Sequence, residues 1–355
     1  MKILDVYIGR IVASTTFLTL AVFVSVSGII KFVEQMRAVG RGNYDLSHAA
    51  LYVLYSVPRD VEVFFPMSAL IGGLIGIGML ASNSELVVMQ AAGMSRLDII
   101  KSVMKTAVLL ILVSMAVGEW LAPDGEATAR EIRAQAISGG RLISAKNGVW
   151  AKDGDYFVNI GEVLEQGQLK KVEIYRFNNQ LKLDSWLSAE SAVFQDEVWL
   201  LSGVVNTQIS EKEISTNTID YQVWQSSLTP KKLGVVTVTP ESLSVRGLLD
   251  YLEYLEANEQ DPSRYQLAFW RKLIQPVTVA VMLLVALSFI FGPLRSVSMG
   301  ARIMMGVVTG ILFFVCNEVL GSLSLVYQFP PIIGAVSPSL LFISLAWYFM
   351  NKKVT

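Results

Sequence analysis

Lys31, Glu34, Arg37 and Arg41 follow one another at spacings of three, three and four residues, just beyond an uncharged run long enough to cross a bilayer. On a continuing helix these spacings place the side chains along one stripe. Such a stripe is either an anion site or a solvated helix end whose cations reach to lipid headgroups. Arg130 and Arg133, again three apart, stand where a later span would emerge on the same side. Guanidinium groups donate paired hydrogen bonds to phosphate oxygens, so two basic stripes at one membrane level would grip a phosphorylated lipid headgroup.

A second constellation is Ser82-Asn-Ser-Glu-Leu-Val-Val-Met-Gln-Ala-Ala-Gly93. Ser82-x-x-Glu85 has the form of a capping box and Gly93 that of a helix stop, which predicts a short separate helix. Its plain role is a connector. Leu86, Val87, Val88 and Met89, however, would leave apolar side chains on an aqueous loop, as expected of a surface docked on a partner protein. A third constellation is Glu318 inside an apolar span, with Glu119 near the end of another. Intramembrane carboxylates suggest a proton relay or polar cavity, or a satisfied group between helices.

What is missing narrows the chemistry. There is no Gly-Lys dipeptide, hence no Walker phosphate loop, and the chain is expected not to hydrolyse ATP itself. His48 is the only histidine and Cys316 the only cysteine, which excludes zinc-protease spacing and most metal or thiol chemistry. No catalytic residue and no metal ligand is therefore expected. A Ser/Lys dyad is left open by residue type, but no spacing singles one out. Lys and Arg total 29 against 30 Asp and Glu, so no global basic field points to nucleic acid.

The elements that must hold these residues are helices in lipid. Of 355 residues 53% are hydrophobic and only 17% charged. A hydrocarbon core about 30 Å thick requires roughly 20 helical residues. Uncharged runs of that order occur at Ile11–Ile30, Val63–Ser84 and Leu273–Leu294, with further spans at about Lys101–Ala122, Ile303–Val326 and Ile333–Met350. The first reads as a retained signal anchor. Pro330 and Pro331 separate the last two. Gly72-x-x-x-Gly76 and Gly306-x-x-x-Gly310 predict faces where helices approach closely.

Six spans put both termini on one side. Lys2, Arg10, Arg96, Lys101, Lys105, Arg295, Arg302, Lys352 and Lys353 on that side outnumber Lys31, Arg37, Arg41 and Arg59 on the other. The positive-inside rule then makes both termini cytoplasmic. The basic excess beyond the first span is a local breach of that rule.

Between the third and fourth spans the pattern shortens to alternating segments such as Tyr156–Ile160, Val172–Phe177 and Val198–Leu201, separated by Asp153-Gly154, Gly167 and Asn178-Asn179. This predicts an antiparallel β sandwich or jelly roll, flanked by helical connectors at Pro123–Ser138 and Ser242–Glu256. The expected fold is an α-helical polytopic membrane protein with an inserted β-jelly-roll domain. Residues 1–138 carry the first three spans, 139–240 the β domain and 241–355 a connector with the last three spans.

Five segments carry a family resemblance: Ser27-Gly-Ile-Ile-Lys-Phe-Val-Glu-Gln-Met36, Ser84-Glu-Leu-Val-Val-Met-Gln90, Leu228-Thr-Pro-Lys-Lys-Leu-Gly-Val-Val236, Ser288-Phe-Ile-Phe-Gly-Pro-Leu-Arg-Ser296 and Pro330-Pro-Ile-Ile-Gly334. Along its whole length the chain resembles the LptF/LptG permease family of the lipopolysaccharide exporter. The resemblance implies a Gram-negative inner-membrane subunit paired with the paralogue LptF, two copies of the ATPase LptB, which uses ATP and Mg, and the single-helix protein LptC. It implies lipopolysaccharide-binding roles for Lys31, Arg37, Arg130 and Arg133, with Arg41 as a possible substitute for a commonly basic family position that is Ala38 here. It makes the segment at 84–93 the coupling helix that fits a groove of LptB, with Glu85 as polar anchor beside Leu86 and Met89. A scaffold or mechanotransmission subunit that moves no lipid is the alternative, and a membrane enzyme a third.

Overall fold

The computed structural model describes residues 3–138, 141–164, 167–178, 182–210, 213–230, 233, 239–291 and 297–351. Lys2, Arg295, Lys352 and Lys353 of the charge count, Asn179 of the expected turn, and parts of the motifs at 228–236 and 288–296 lie outside the described residues. The helices are α1 (Ile3–Met36), α2 (Leu46–Ser82), α3 (Glu85–Ala91), α4 (Arg96–Ala116), α5 (Ala122–Ser138), α6 (Val245–Ala257), α7 (Ser263–Phe291), α8 (Met299–Val326) and α9 (Pro331–Asn351). Among the described residues six stretches are long and apolar enough to cross a membrane, as predicted: α1, α2, Arg96–Ile137, α7, α8 and α9. The protein is therefore a polytopic helical membrane protein with an inserted β domain.

Several helices exceed their uncharged cores. α1 has 34 residues, roughly 50 Å at 1.5 Å per residue, and α2 has 37. The charged Lys31, Arg59, Asp60 and Glu62 are thus helical residues. In the third span α4 passes into α5 through a π-helical turn, Val117–Leu121. Pro123 explains its place: it lacks an N–H and its ring crowds the carbonyl four residues back, at Glu119, which a widened turn accommodates.

The chain forms two compact units, one of Met1–Val33, Val53–Glu126 and Ser263–Thr355, the other of Glu34–Tyr52 and Ala127–Pro262. In the first, α2 and α7 are the most enclosed spans, 67% and 56% buried, whereas α1 and α8 are 11% and 17% buried. Most of their apolar side chains face outward. Ile8, Val12, Phe65, Leu74, Val103, Leu110 and Leu283 belong to its core. The small-residue motifs pack as predicted. Thr15 Oγ1 donates to the Gly72 carbonyl at 2.7 Å, a Cβ at Gly76 would lie 2.7 Å from Thr15 Oγ1, and one at Gly306 would lie 2.7 Å from Leu74 Cδ1.

In the second unit β1 (Arg141–Asp153), β2 (Tyr156–Leu164), β3 (Gln168–Phe177), β4 (Leu183–Gln195), β5 (Val198–Ile209) and β6 (Ile214–Trp224) form one antiparallel sheet in chain order. The predicted turn glycines Gly154 and Gly167 take φ of +58° and +73°, a backbone region open to glycine. Alternation buries Val158, Ile160, Val172, Ile174, Trp199 and Leu201. The described strands are hydrogen-bonded in chain order, each antiparallel to its sequence neighbour. The second connector is α6, which buries Leu248, Leu252 and Leu255 and leaves Leu249 exposed. It is tied to the sheet by Tyr254 Oη donating to the Lys152 carbonyl at 2.7 Å and by Gly154 N donating to Asn258 Oδ1 at 2.7 Å.

Candidate functional site

The cations beyond α1 do not lie on one helix face, because α1 stops at Met36. Arg37 and Arg41 stand exposed in a tight turn held by Ala38 N donating to the Gln35 carbonyl at 2.9 Å and Arg41 N to the Ala38 carbonyl at 3.1 Å. Ala38 is buried, so a small residue fits there. Tyr44 closes the turn: its ring is buried and its hydroxyl donates to Gln35 Oε1 at 3.1 Å. Burial pushes the Tyr44 phenol up, opposed by the charge of Arg133.

This turn docks on the end of α5 within the same unit. Asn43 N donates to the Ala136 carbonyl at 2.7 Å. Gly42, at φ +58°, sits so close that a Cβ there would lie 2.6 Å from the Ala136 oxygen. The structure thereby brings the Arg37 and Arg41 turn to the helix carrying Arg130 and Arg133, segments about ninety residues apart in sequence. Arg133 is exposed, with its guanidinium carbon 5.9 Å from the centre of the Tyr52 ring, a geometry that orients the cation without neutralising it.

Lys31 belongs to the first unit. Its Nζ lies 2.7 Å from Asp60 Oδ1. Two residues further along α2, Glu62 is buried between two cations, with Arg59 Nη1 at 2.7 Å from Oε2 and Lys272 Nζ at 3.2 Å from Oε1. Gln275 Nε2 donates to the Glu62 carbonyl at 3.0 Å, and Gly118 of the π turn leaves room for its carboxylate. Sequence reasoning missed Asp60, Glu62 and Lys272. It counted Arg59 only as a loop cation of the topology, although Arg59 and Glu62 at the spacing of one helical turn were a visible sign of a helix-borne ion pair.

The short helix is present as α3, with Gly93 at φ +95° beyond its end. The proposed capping box is not formed. Ser82 is still helical and its hydroxyl donates to the Gly78 carbonyl at 2.9 Å, while Ser84 takes the N-cap position at φ +61° without a side-chain cap. The reciprocal box occurs instead at Ser95 and Asp98, opening α4. Glu85 accepts from Tyr7 Oη at 2.8 Å and from Asn83 Nδ2 at 3.3 Å. Leu86 and Met89 point into the helical core, and the exposed apolar pair is Val87 and Val88, at 57% and 65%. Below α3 the foot of α1 is fixed by Asp5, which binds the Ser102 hydroxyl and Lys105 Nζ, the latter at 2.7 Å.

Glu318 pairs with Arg271 Nη1 at 3.2 Å and is half-exposed; the same guanidinium donates to the Asn317 carbonyl at 2.6 Å. That geometry is the satisfied interhelical group among the sequence expectations. Glu119 lies in the π turn.

Comparison with known proteins adds independent findings. The family model described as lipopolysaccharide export system permease LptF/LptG matches residues 6–352. The chain is 50% identical over 355 residues to the lipopolysaccharide export system permease protein LptG of Escherichia coli strain K12, covering 99% of each chain. It is 49% identical over 352 residues to the protein of the same name from Haemophilus influenzae, covering 99% of this chain and 98% of the other.

Proposed function

Because the chain belongs to the LptF/LptG family of lipopolysaccharide export permeases, we propose that it is a subunit of an ATP-driven exporter. This machine lifts lipopolysaccharide from the inner membrane and passes it to a periplasmic bridge toward the outer membrane. Support comes above all from the docking of the Arg37 and Arg41 turn on the α5 end that carries Arg130 and Arg133. Guanidinium groups carried on a fixed backbone turn and helix suit phosphate recognition, since the backbone that presents them needs no further ordering on binding. Lys31, in the other unit, is a further cation for the same class of ligand.

The proposed assembly pairs this chain with the paralogue LptF, two copies of the ATPase LptB and the single-helix protein LptC. Both termini are cytoplasmic and the β domain is periplasmic. ATP and Mg are used by LptB. α3 is the contact with it: Glu85 gives a polar anchor, Leu86 and Met89 fasten α3 to its own bundle, and Val87 and Val88 present the apolar face. Export requires an open state that favours the lipid and a closed state that does not, since only differential affinity shifts an equilibrium.

Photocrosslinkers at positions 31, 37 and 133 in the whole complex test the lipid role. Lipopolysaccharide adducts are expected at these positions. Export-competent complexes without an adduct at any of them would reduce the chain to a scaffold. Co-purification tests the assembly, with LptF and LptB expected together.

A further inference from the structure

The contact that binds Lys31 also restrains it. Asp60 is 8% exposed in its side chain, and its Oδ1 holds Lys31 Nζ at 2.7 Å. Its second oxygen, Oδ2, is buried and has no hydrogen-bond partner among the described residues. The carboxylate thus depends on one cation. Among the described residues the nearby cations Arg59 and Lys272 are both committed to Glu62, and Arg59, adjacent in sequence, faces another side of α2. Lys31, by contrast, keeps 27% of its side chain exposed on a flexible stem and has access to the surface.

We propose that Asp60 is an internal rival of the lipid phosphate for Lys31. A phosphate oxygen that captures the ammonium takes it from Asp60 and leaves a buried carboxylate without its cation, a costly state in a low-dielectric setting. That cost is charged against lipid binding and returned when the lipid leaves, so the pair weakens retention and favours release. This deepens the lipid-binding reading and rests on Lys31 meeting phosphate.

The test uses the whole complex in nanodiscs with bisphosphorylated and dephosphorylated lipid A as probes. A zero-length carbodiimide joins a lysine to a carboxylate only when they touch, so the unmodified chain should yield a Lys31–Asp60 amide, read by mass spectrometry. Bisphosphorylated lipid A should suppress that product several-fold, and dephosphorylated lipid A should not. Asp60→Asn, which keeps the shape and removes the charge, should tighten binding of bisphosphorylated lipid A by about tenfold and slow its ATP-driven release. The gain should vanish in the Asp60→Asn/Lys31→Ala double variant.

If Lys31→Ala weakens binding while the amide yield ignores bisphosphorylated lipid A, the rivalry is wrong and the lipid site stands. If Lys31→Ala binds lipid A as the unaltered chain does, Lys31 meets no phosphate, and both ideas fall at this residue. Carbodiimide coupling needs no substitution, so a poorly folding Asp60→Asn chain leaves the test intact.

Discussion

Tyr7 donates its hydroxyl to Glu85 Oε2 across 2.8 Å, joining the foot of α1 to the first residue of α3. The residues are 78 apart in sequence, so the bond exists only through the packing of the bundle. α1 is also held there by Asp5 to Ser102 and Lys105 of α4. A push on α3 therefore reaches the helix that carries Lys31 at its far end.

Tyr7→Phe removes that bond and leaves the ring. The bond is exposed to solvent, so its loss should cost the fold little. The fold should survive while lipopolysaccharide exported per ATP hydrolysed falls several-fold. An unchanged ratio in reconstituted vesicles would remove Tyr7 from the coupling path. Val88→Glu should act differently, lowering co-purification of the ATPase, because it charges the exposed face of α3.

Glu62 is the buried carboxylate shared by Arg59 and Lys272. Glu62→Ala leaves two cations without their partner and should cost about 3–5 kcal/mol. Adding Lys272→Met should restore part of the loss, since the second charge then no longer needs a counter-ion. Thermal unfolding in detergent measures both steps. Additive losses in the double variant would show that the two side chains do not share an interaction.

Gly42→Ala places a methyl group against the Ala136 carbonyl at a backbone angle of φ +58°. The combined clash and strain should cost about 1–3 kcal/mol. Hydrogen exchange should quicken at Asn43, whose amide donates to that carbonyl. Lipid adducts from position 37 should fall with it. Gly40→Ala has the strained φ of +88° but open space around it, and it isolates the part of the effect due to backbone strain, the remainder being due to contact.

The β-bearing unit carries phenols held from ionising. Burial, then the Asp153 charge, pushes Tyr254 up to about 12, and burial with the Glu173 hydrogen bond pushes Tyr175 to about 12. A raised folded pKa means that the native state keeps its proton while the unfolded chain loses it. Their contribution to stability is thus complete below about pH 10, the ordinary phenol value, and is lost as pH rises to about 12. Phenolate absorbance should show the late titration, and Tyr254→Phe should flatten the alkaline loss in unfolding experiments.

The sequence by itself determined the membrane character, the six spans, the β insertion and a short helix within 84–93, because hydrophobic run length, period-two alternation and glycine stops are local properties. It also named Lys31, Arg37, Arg41, Arg130 and Arg133, since residue type and spacing suffice to propose a phosphate site. Tertiary structure alone decided how these residues are held. It ended α1 at Met36, docked the Arg41 turn on α5, sank Leu86 and Met89 into the core, and set Asp60 against Lys31. It also paired the described strands in chain order. Each of these depends on groups far apart in the chain meeting in space. A charged residue at the end of an apolar run reads alike whether water or a buried counter-ion meets it, and only the packed bundle supplies the counter-ion.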